Sequence, residues 1–109
     1  MNFSDVFNEF SSASAGTDSF KKVREQCEQI IRSHPEQGAI CFVIGEFCRY
    51  YVMVYEDQEI RPNFAHQVQD QLLGYMALLD AALKSGDSGV ILSALNKVVV
   101  EYAGSRGLI

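Results

Sequence analysis

The chain has 109 residues, of which 48% are hydrophobic and 21% charged, and its formal net charge is −5. This length and balance are typical of one globular domain and not of a disordered chain. We therefore expect residues 1–109 to form a single domain. Binding to nucleic acid or to an anionic membrane requires clustered Lys and Arg, so the acidic balance argues against both kinds of partner.

The first part of the chain predicts two helices of different length. A short helix is expected from Ser4, which would act as its cap, to about Ser11. A linker of small polar residues, 11–16, interrupts the pattern. The second helix is expected over about 18–33, since one stripe of apolar residues recurs at helical spacing. That stripe consists of Phe20, Val23, Cys27, Ile30 and Ile31.

The third segment, from Pro35 to about Tyr55 or Asp57, is apolar on almost every side, with Glu46 and Arg49 as its charged interruptions. A helix of this kind is normally buried at the centre of a bundle. The alternative is a pair of strands over 39–44 and 50–55, because Val, Ile, Tyr and Phe favour strands. We favour the helix, since no Asn-Gly or Asp-Gly turn separates the two halves.

A polar loop over 56–62 separates the third segment from two further helices. Asn63 is expected to cap a fourth helix that ends at Ser85-Gly86, and Asp87 to cap a fifth that runs to about Ala103. The expected fold is all-α, an antiparallel four-helix bundle with a short extra N-terminal helix laid across one end. The third and fourth helices would form its central hairpin.

The termini and cysteines favour a cytoplasmic protein. The first 20 residues carry three acidic and no basic residues, which is typical neither of a secretory signal nor of a transit peptide. The charges at Glu46 and Arg49 argue against a transmembrane helix in the apolar segment. Cys27, Cys41 and Cys48 have no disulfide-framework spacing. We expect three buried apolar thiols in a reducing compartment.

A search for catalytic chemistry returns no phosphate-binding loop, dinucleotide fingerprint, zinc-protease motif or nucleophile elbow. We therefore expect no enzyme activity, no catalytic residues, no cofactor and no metal. A metal site made of Cys41, Cys48, His66 and Glu46 remains a minor alternative. The simpler interpretation of Glu46 is an ion pair with Arg49, three residues further along an exposed stripe.

The charge is unevenly distributed along the chain. Residues 1–20 carry −3 and residues 50–83 carry −4, whereas 21–49 and 84–109 each carry +1. Tyrosines stand directly before the acidic loop, and such a mixture of aromatic area and charge is typical of protein-binding surfaces. We call the predicted surface the acidic-aromatic patch; it comprises Tyr51, Tyr55, Glu56, Asp57 and Glu59, extended by Gln67 and Asp70.

The patch leads to a binding function for a basic protein. In broad character the chain is similar to colicin nuclease immunity proteins, which are small, acidic and helical with a Tyr-Tyr pair near acidic residues; Tyr50-Tyr51 and Glu56-Asp57 carry the likeness. The resemblance, an analogy and not family membership, implies a bacterial immunity protein or antitoxin that occludes the basic cleft of a toxin. The alternative is a homodimeric regulatory or scaffolding bundle that associates through the third and fourth helices. The third is a bundle that binds a metal or small molecule.

Overall fold

A computed structural model describes residues 1–108, in which all regular secondary structure is helical and no β-strand occurs. The strand alternative for the third segment is therefore wrong, and that segment is one continuous helix after a single 3₁₀ turn at Pro35–Gln37. In these 108 residues there are five α-helices. They are α1 (Phe3–Ser11), α2 (Thr17–Ser33), α3 (Gly38–Tyr55), α4 (Pro62–Ser85) and α5 (Ser88–Gly104).

Local side-chain chemistry defines the helix ends, although two of the predicted caps are wrong. Asn2, not Ser4, caps α1: its Oδ1 accepts from the Asp5 N–H at 3.0 Å. Helix α4 starts one residue before Asn63, because Pro62 has its φ preset for a first helical turn and needs no N–H partner there. Asp87 caps α5 as predicted, accepting from the N–H groups of Gly89 and Val90.

Helix α1 belongs to the core and does not lie across one end of the molecule. Its apolar face is fully enclosed, with Phe3, Val6 and Phe10 at most 2% exposed. Ser4 near its start donates to Asp80, and the carbonyl of Phe10 near its end accepts from Gln69. The start of α1 therefore contacts a later residue of α4 than the end of α1 does, so the two helices run antiparallel.

The closest helix pair is α2 with α3, not the predicted hairpin of α3 with α4. Gly45 lies in this interface, where a Cβ built on it would be in ordinary contact with the Cβ of Cys27, at 3.5 Å. Helix α3 meets α4 through large rings instead: the centroids of Phe47 and Tyr75 are 5.9 Å apart. Large side chains at an interface keep helix axes apart, which explains why α2 replaces α4 as the nearest neighbour.

Helix α5 is attached to the outside of α4 and is the least enclosed of the five. Only Ala94 and Val98 of its residues are buried. Tyr102 stacks on Phe47 with the ring centroids 3.6 Å apart. Beyond α5 the chain turns back, and the Gln71 side chain donates to the carbonyl of Gly107 at 3.1 Å.

The segment Pro35–Tyr55 is long and apolar enough, by length and composition, to cross a bilayer. The core helix of a soluble protein passes the same test. Within the structure, seven residues of α3 are buried against other helices, and they lie on one side of it. The charged pair Glu46 and Arg49 lies on the opposite side, where the two side chains form the predicted ion pair.

The glycines of α4 and of its C-terminal end provide a test of these helix ends. Gly74 lies in the exposed interior of α4 with nothing within 4 Å of a Cβ built there. We expect Gly74→Ala to raise the free energy of unfolding by up to about 1 kcal/mol, because alanine restricts the unfolded chain and favours helix. Gly86 has φ +68°, so Gly86→Ala should lower it by about 1 kcal/mol. Urea unfolding measures the free energy of unfolding of each variant. Changes of the same sign and size would contradict the placement of Gly74 inside α4 and of Gly86 at its end.

Candidate binding surface at the α3–α4 connection

The connection from α3 to α4 is closed by its own hydrogen bonds. The Glu56 N–H donates to the Val52 carbonyl at 2.9 Å, which completes the last turn of α3. The Gln58 side chain donates to the Val54 carbonyl at 2.9 Å. These bonds satisfy carbonyls that would otherwise be left without partners at a helix end, so the acidic loop has a defined conformation on the end of α3.

Aromatic rings under the loop join three helices. Tyr51 packs on Phe20 of α2 with the centroids 4.5 Å apart, and on Tyr55 with the centroids 5.0 Å apart. Tyr55 in turn contacts Phe64 of α4, at 5.4 Å between centroids. The row of rings thus connects the interior of the molecule with the surface of the loop.

Tyr51 is only 1% exposed, so the prediction that its ring lies outward in the acidic-aromatic patch is wrong. The reason is the closeness of α2, whose Phe20 covers the side of α3 on which Tyr51 stands. Burial raises the pKa of the Tyr51 hydroxyl. Among residues 1–108, that hydroxyl has no hydrogen-bond partner. Tyr51 therefore packs beneath the surface residue Tyr55 and has no side-chain area that a docked molecule could contact.

The exposed member of the Tyr-Tyr pair is Tyr50, at 49%. Tyr50 is not among the predicted patch residues, although the sequence indicates that its side chain faces outward. Glu46 and Arg49 mark the outer side of α3, and Tyr50 is one turn after Glu46, whereas Tyr51 falls nearly opposite Arg49. If Glu46 and Arg49 mark the solvent side of α3, the side chain of Tyr50 faces solvent and that of Tyr51 faces the interior.

Tyr55 is half-buried and forms part of the floor of a depression of about 270 Å³ at the loop. We call it the α3–α4 depression. Its lining consists of Tyr55, Gln58, Glu59, Ile60, Arg61 and Phe64. The floor is therefore apolar and aromatic, while the rim carries one carboxylate and one guanidinium.

The remaining patch residues are exposed, as predicted, but they differ in their partners. Glu56 forms an ion pair with Lys21 of α2, which neutralises it locally. Asp57 and Glu59 have no ion pair within the part of the chain that the structure describes. Gln67 and Asp70 are exposed on the first half of α4, yet neither lines the depression.

The minor metal hypothesis fails on geometry. No group of three or more His, Cys, Asp or Glu residues is placed to hold a metal ion within residues 1–108. Cys41 and Cys48 are fully buried, His66 is exposed, and Glu46 is engaged by Arg49. The prediction that all three cysteines are buried free thiols is confirmed.

No protein-family model, curated protein or solved structure shows a significant match to this chain. The geometry of the surface at the α3–α4 connection is therefore the basis on which a function is inferred.

The unpartnered hydroxyl under the loop gives a direct test of the ring packing. Tyr51→Phe keeps both ring contacts and removes a buried polar group, so we expect the free energy of unfolding to stay constant or rise by about 1 kcal/mol. Tyr51→Ala should lower it by about 3–5 kcal/mol, because it removes a core ring. Denaturant unfolding distinguishes the outcomes. A clear loss of stability in Tyr51→Phe would show that the hydroxyl is needed.

Proposed function

We propose that this chain is a non-enzymatic protein-binding module that docks a basic protein on the α3–α4 connection. The observation that carries the proposal is the combination of an apolar aromatic floor with two exposed carboxylates, Asp57 and Glu59, that have no ion-pair partner among the described residues. A surface of this kind offers contact area and orientation to a partner of opposite charge.

The depression suits an arginine or lysine side chain of the partner. The aliphatic stem of such a side chain gains by packing on apolar surface while its charged head stays polar. The rings of Tyr55 and Phe64 also attract a cation placed over their faces. Arg61 on the same rim repels a cation, so the charged head has to lie on the Glu59 side, where that carboxylate is its acceptor. Asp57 adds to the negative potential that speeds the encounter.

The most concrete form of the proposal is a bacterial, cytoplasmic immunity protein or antitoxin. A nuclease toxin needs a basic cleft for phosphate groups, so an acidic helical partner is steered to the cleft and occludes it. The net charge of −5 supports this form. So does the ordinary structural role of the candidate carboxylate Glu46, which is held by Arg49.

We also infer that the helices make an antiparallel bundle of four long members, α2 to α5, with α1 as the short additional helix. Antiparallel contacts between successive helices support this inference: Lys21 of α2 meets Glu56 after α3, and Phe47 of α3 meets Tyr75 of α4. The bundle presents the loop at one end, which is the arrangement that the docking proposal needs.

Reversal of the two free carboxylates tests the docking surface. We expect Asp57→Lys combined with Glu59→Lys to slow association with the natural partner roughly tenfold or more, because electrostatic steering is lost. The matched control is Glu36→Lys combined with Glu101→Lys, which changes the net charge equally at exposed sites away from the loop.

The measurement is capture from a lysate of the source organism by the wild-type chain and both double variants, followed by association kinetics for each captured protein. The proposal requires a basic protein that the wild type and the control hold and the loop variant loses. Equal capture or equal rates for both double variants would contradict it.

A second candidate is a homodimeric scaffold, which a specific feature of α5 favours. Leu92 is 60% and Val100 is 70% exposed on this helix. The sequence predicts a dimer through the third and fourth helices, but the apolar second half of α4, Tyr75–Leu83, is largely buried. Helix α5 therefore replaces it as the candidate interface. Lys97 and Glu101 lie one turn apart on α5, and two antiparallel copies of the helix would pair them reciprocally.

Light scattering after size-exclusion chromatography tests the dimer. A dimer at micromolar concentration has twice the mass of the 12.2 kDa chain, and Val100→Glu should convert it to a monomer by placing a charge in an apolar contact. The matched control is Met53→Glu, which places the same charge at an apolar residue of similar exposure, 62%, on α3 and away from α5. A wild-type monomer would exclude this candidate.

A further inference from the structure

Two cysteines from different helices meet at the centre of the α2–α3 interface. Cys27 of α2 and Cys41 of α3 are both 0% exposed and line the same small cavity. Gly45, one turn after Cys41, lies at the same place, since a Cβ built on it would be 3.5 Å from the Cβ of Cys27. A disulfide requires a short separation between the two backbones, and α2 and α3 are the most closely packed pair of helices.

A small cavity lies beside this pair. Its volume is about 110 Å³, and both Cys27 and Cys41 contribute to its lining, together with Gly45 on its inner side. Arg24 and Glu46 lie at its polar edge. A water-sized molecule occupies about 30 Å³, so a small oxidant such as a peroxide fits the space beside the thiols.

The two thiols are not equivalent. The neighbouring Cys27 lowers the pKa of the Cys41 thiol. The same contact and burial raise the pKa of Cys27. Cys48, buried without such a partner, has its pKa raised by desolvation. Because the thiolate is the reactive form, Cys41 is the attacking group and Cys27 the one that resolves the product.

We propose that Cys27 and Cys41 are an oxidation site, at which a peroxide converts the two thiols into a reversible crosslink, a disulfide between α2 and α3. The Cys41 sulfur attacks a peroxide oxygen and breaks the O–O bond, giving a sulfenic acid and, for hydrogen peroxide, one water. The Cys27 sulfur then displaces the hydroxyl of the sulfenic acid as a second water. Two thiols are oxidised, one peroxide is reduced, and the inference is independent of the docking proposal.

The crosslink joins the two helices that pack most closely. It closes a short segment of the chain and so restricts the unfolded state more than the folded one. We therefore expect the oxidised form to unfold at a higher temperature than the reduced form, and a thiol reductant to reverse the shift.

The experiment treats the folded, reduced chain with hydrogen peroxide, blocks the remaining thiols in denaturant and digests with trypsin without reduction. Cleavage after Arg24, Arg32 and Arg49 places Cys27 in peptide 25–32 and the other two cysteines in peptide 33–49. The expected product is the pair of linked peptides, lighter by two hydrogens than their sum, with one blocked thiol remaining.

The variant Cys48→Ala is the matched control, since it removes the third buried cysteine and leaves the pair intact. It should form the same linked peptides, whereas Cys27→Ala and Cys41→Ala should not. Circular dichroism confirms that each variant is folded before oxidation. Three blocked thiols in the treated wild type, a link that Cys48→Ala abolishes, or links only between separate chains would each overturn the inference.

Discussion

The close antiparallel packing of α2 against α3 is the constraint on which the rest of the structure depends. Helix α3 is apolar around most of its circumference, and in its sequence only Glu46 and Arg49 indicate which side faces outward. The side that holds Gly45 packs against Cys27 of α2, and Phe20 fixes the same side by packing on Tyr51. This choice of phase leaves Glu46 and Arg49 outward and sets where the acidic loop begins.

Buried polar contacts fix the second half of the arrangement. Asp80 of α4 is 4% exposed, accepts from Ser4 of α1 and is paired with Lys84. Gln69, also buried, donates to the carbonyl of Ala13 just after α1. Buried polar groups cost free energy unless they find partners, so these contacts select one direction and one register for α1 along α4.

The limits of the helices could be predicted from the sequence better than which helices pack against each other, and the reason is physical. Caps, glycines and prolines act locally, so the limits of α2 and α5 and the break near Ser85 could be predicted from a few residues each. The position of α1 depends on Asp80 and Gln69, which are distant in sequence and look like surface residues of α4. Tyr51 was misplaced because the apolar residues of α3 surround the helix and give no periodic signal, and the one guide to its phase, the charged pair Glu46 and Arg49, was not applied to the tyrosines. The exposure of Asp57 and Glu59 could be predicted, because it follows from their position in the polar loop over 56–62.

The central claim is that the α3–α4 depression and its two free carboxylates form a docking surface for basic groups. The most direct measurement is an amide NMR titration of the ¹⁵N-labelled chain with a short peptide of alternating arginine and glycine at low salt. The account predicts that the largest shifts cluster over residues 55–64 and disappear as salt is added, since exposed charges are screened. Shifts that spread equally over the other exposed carboxylates, such as Glu36 and Glu101, would contradict it.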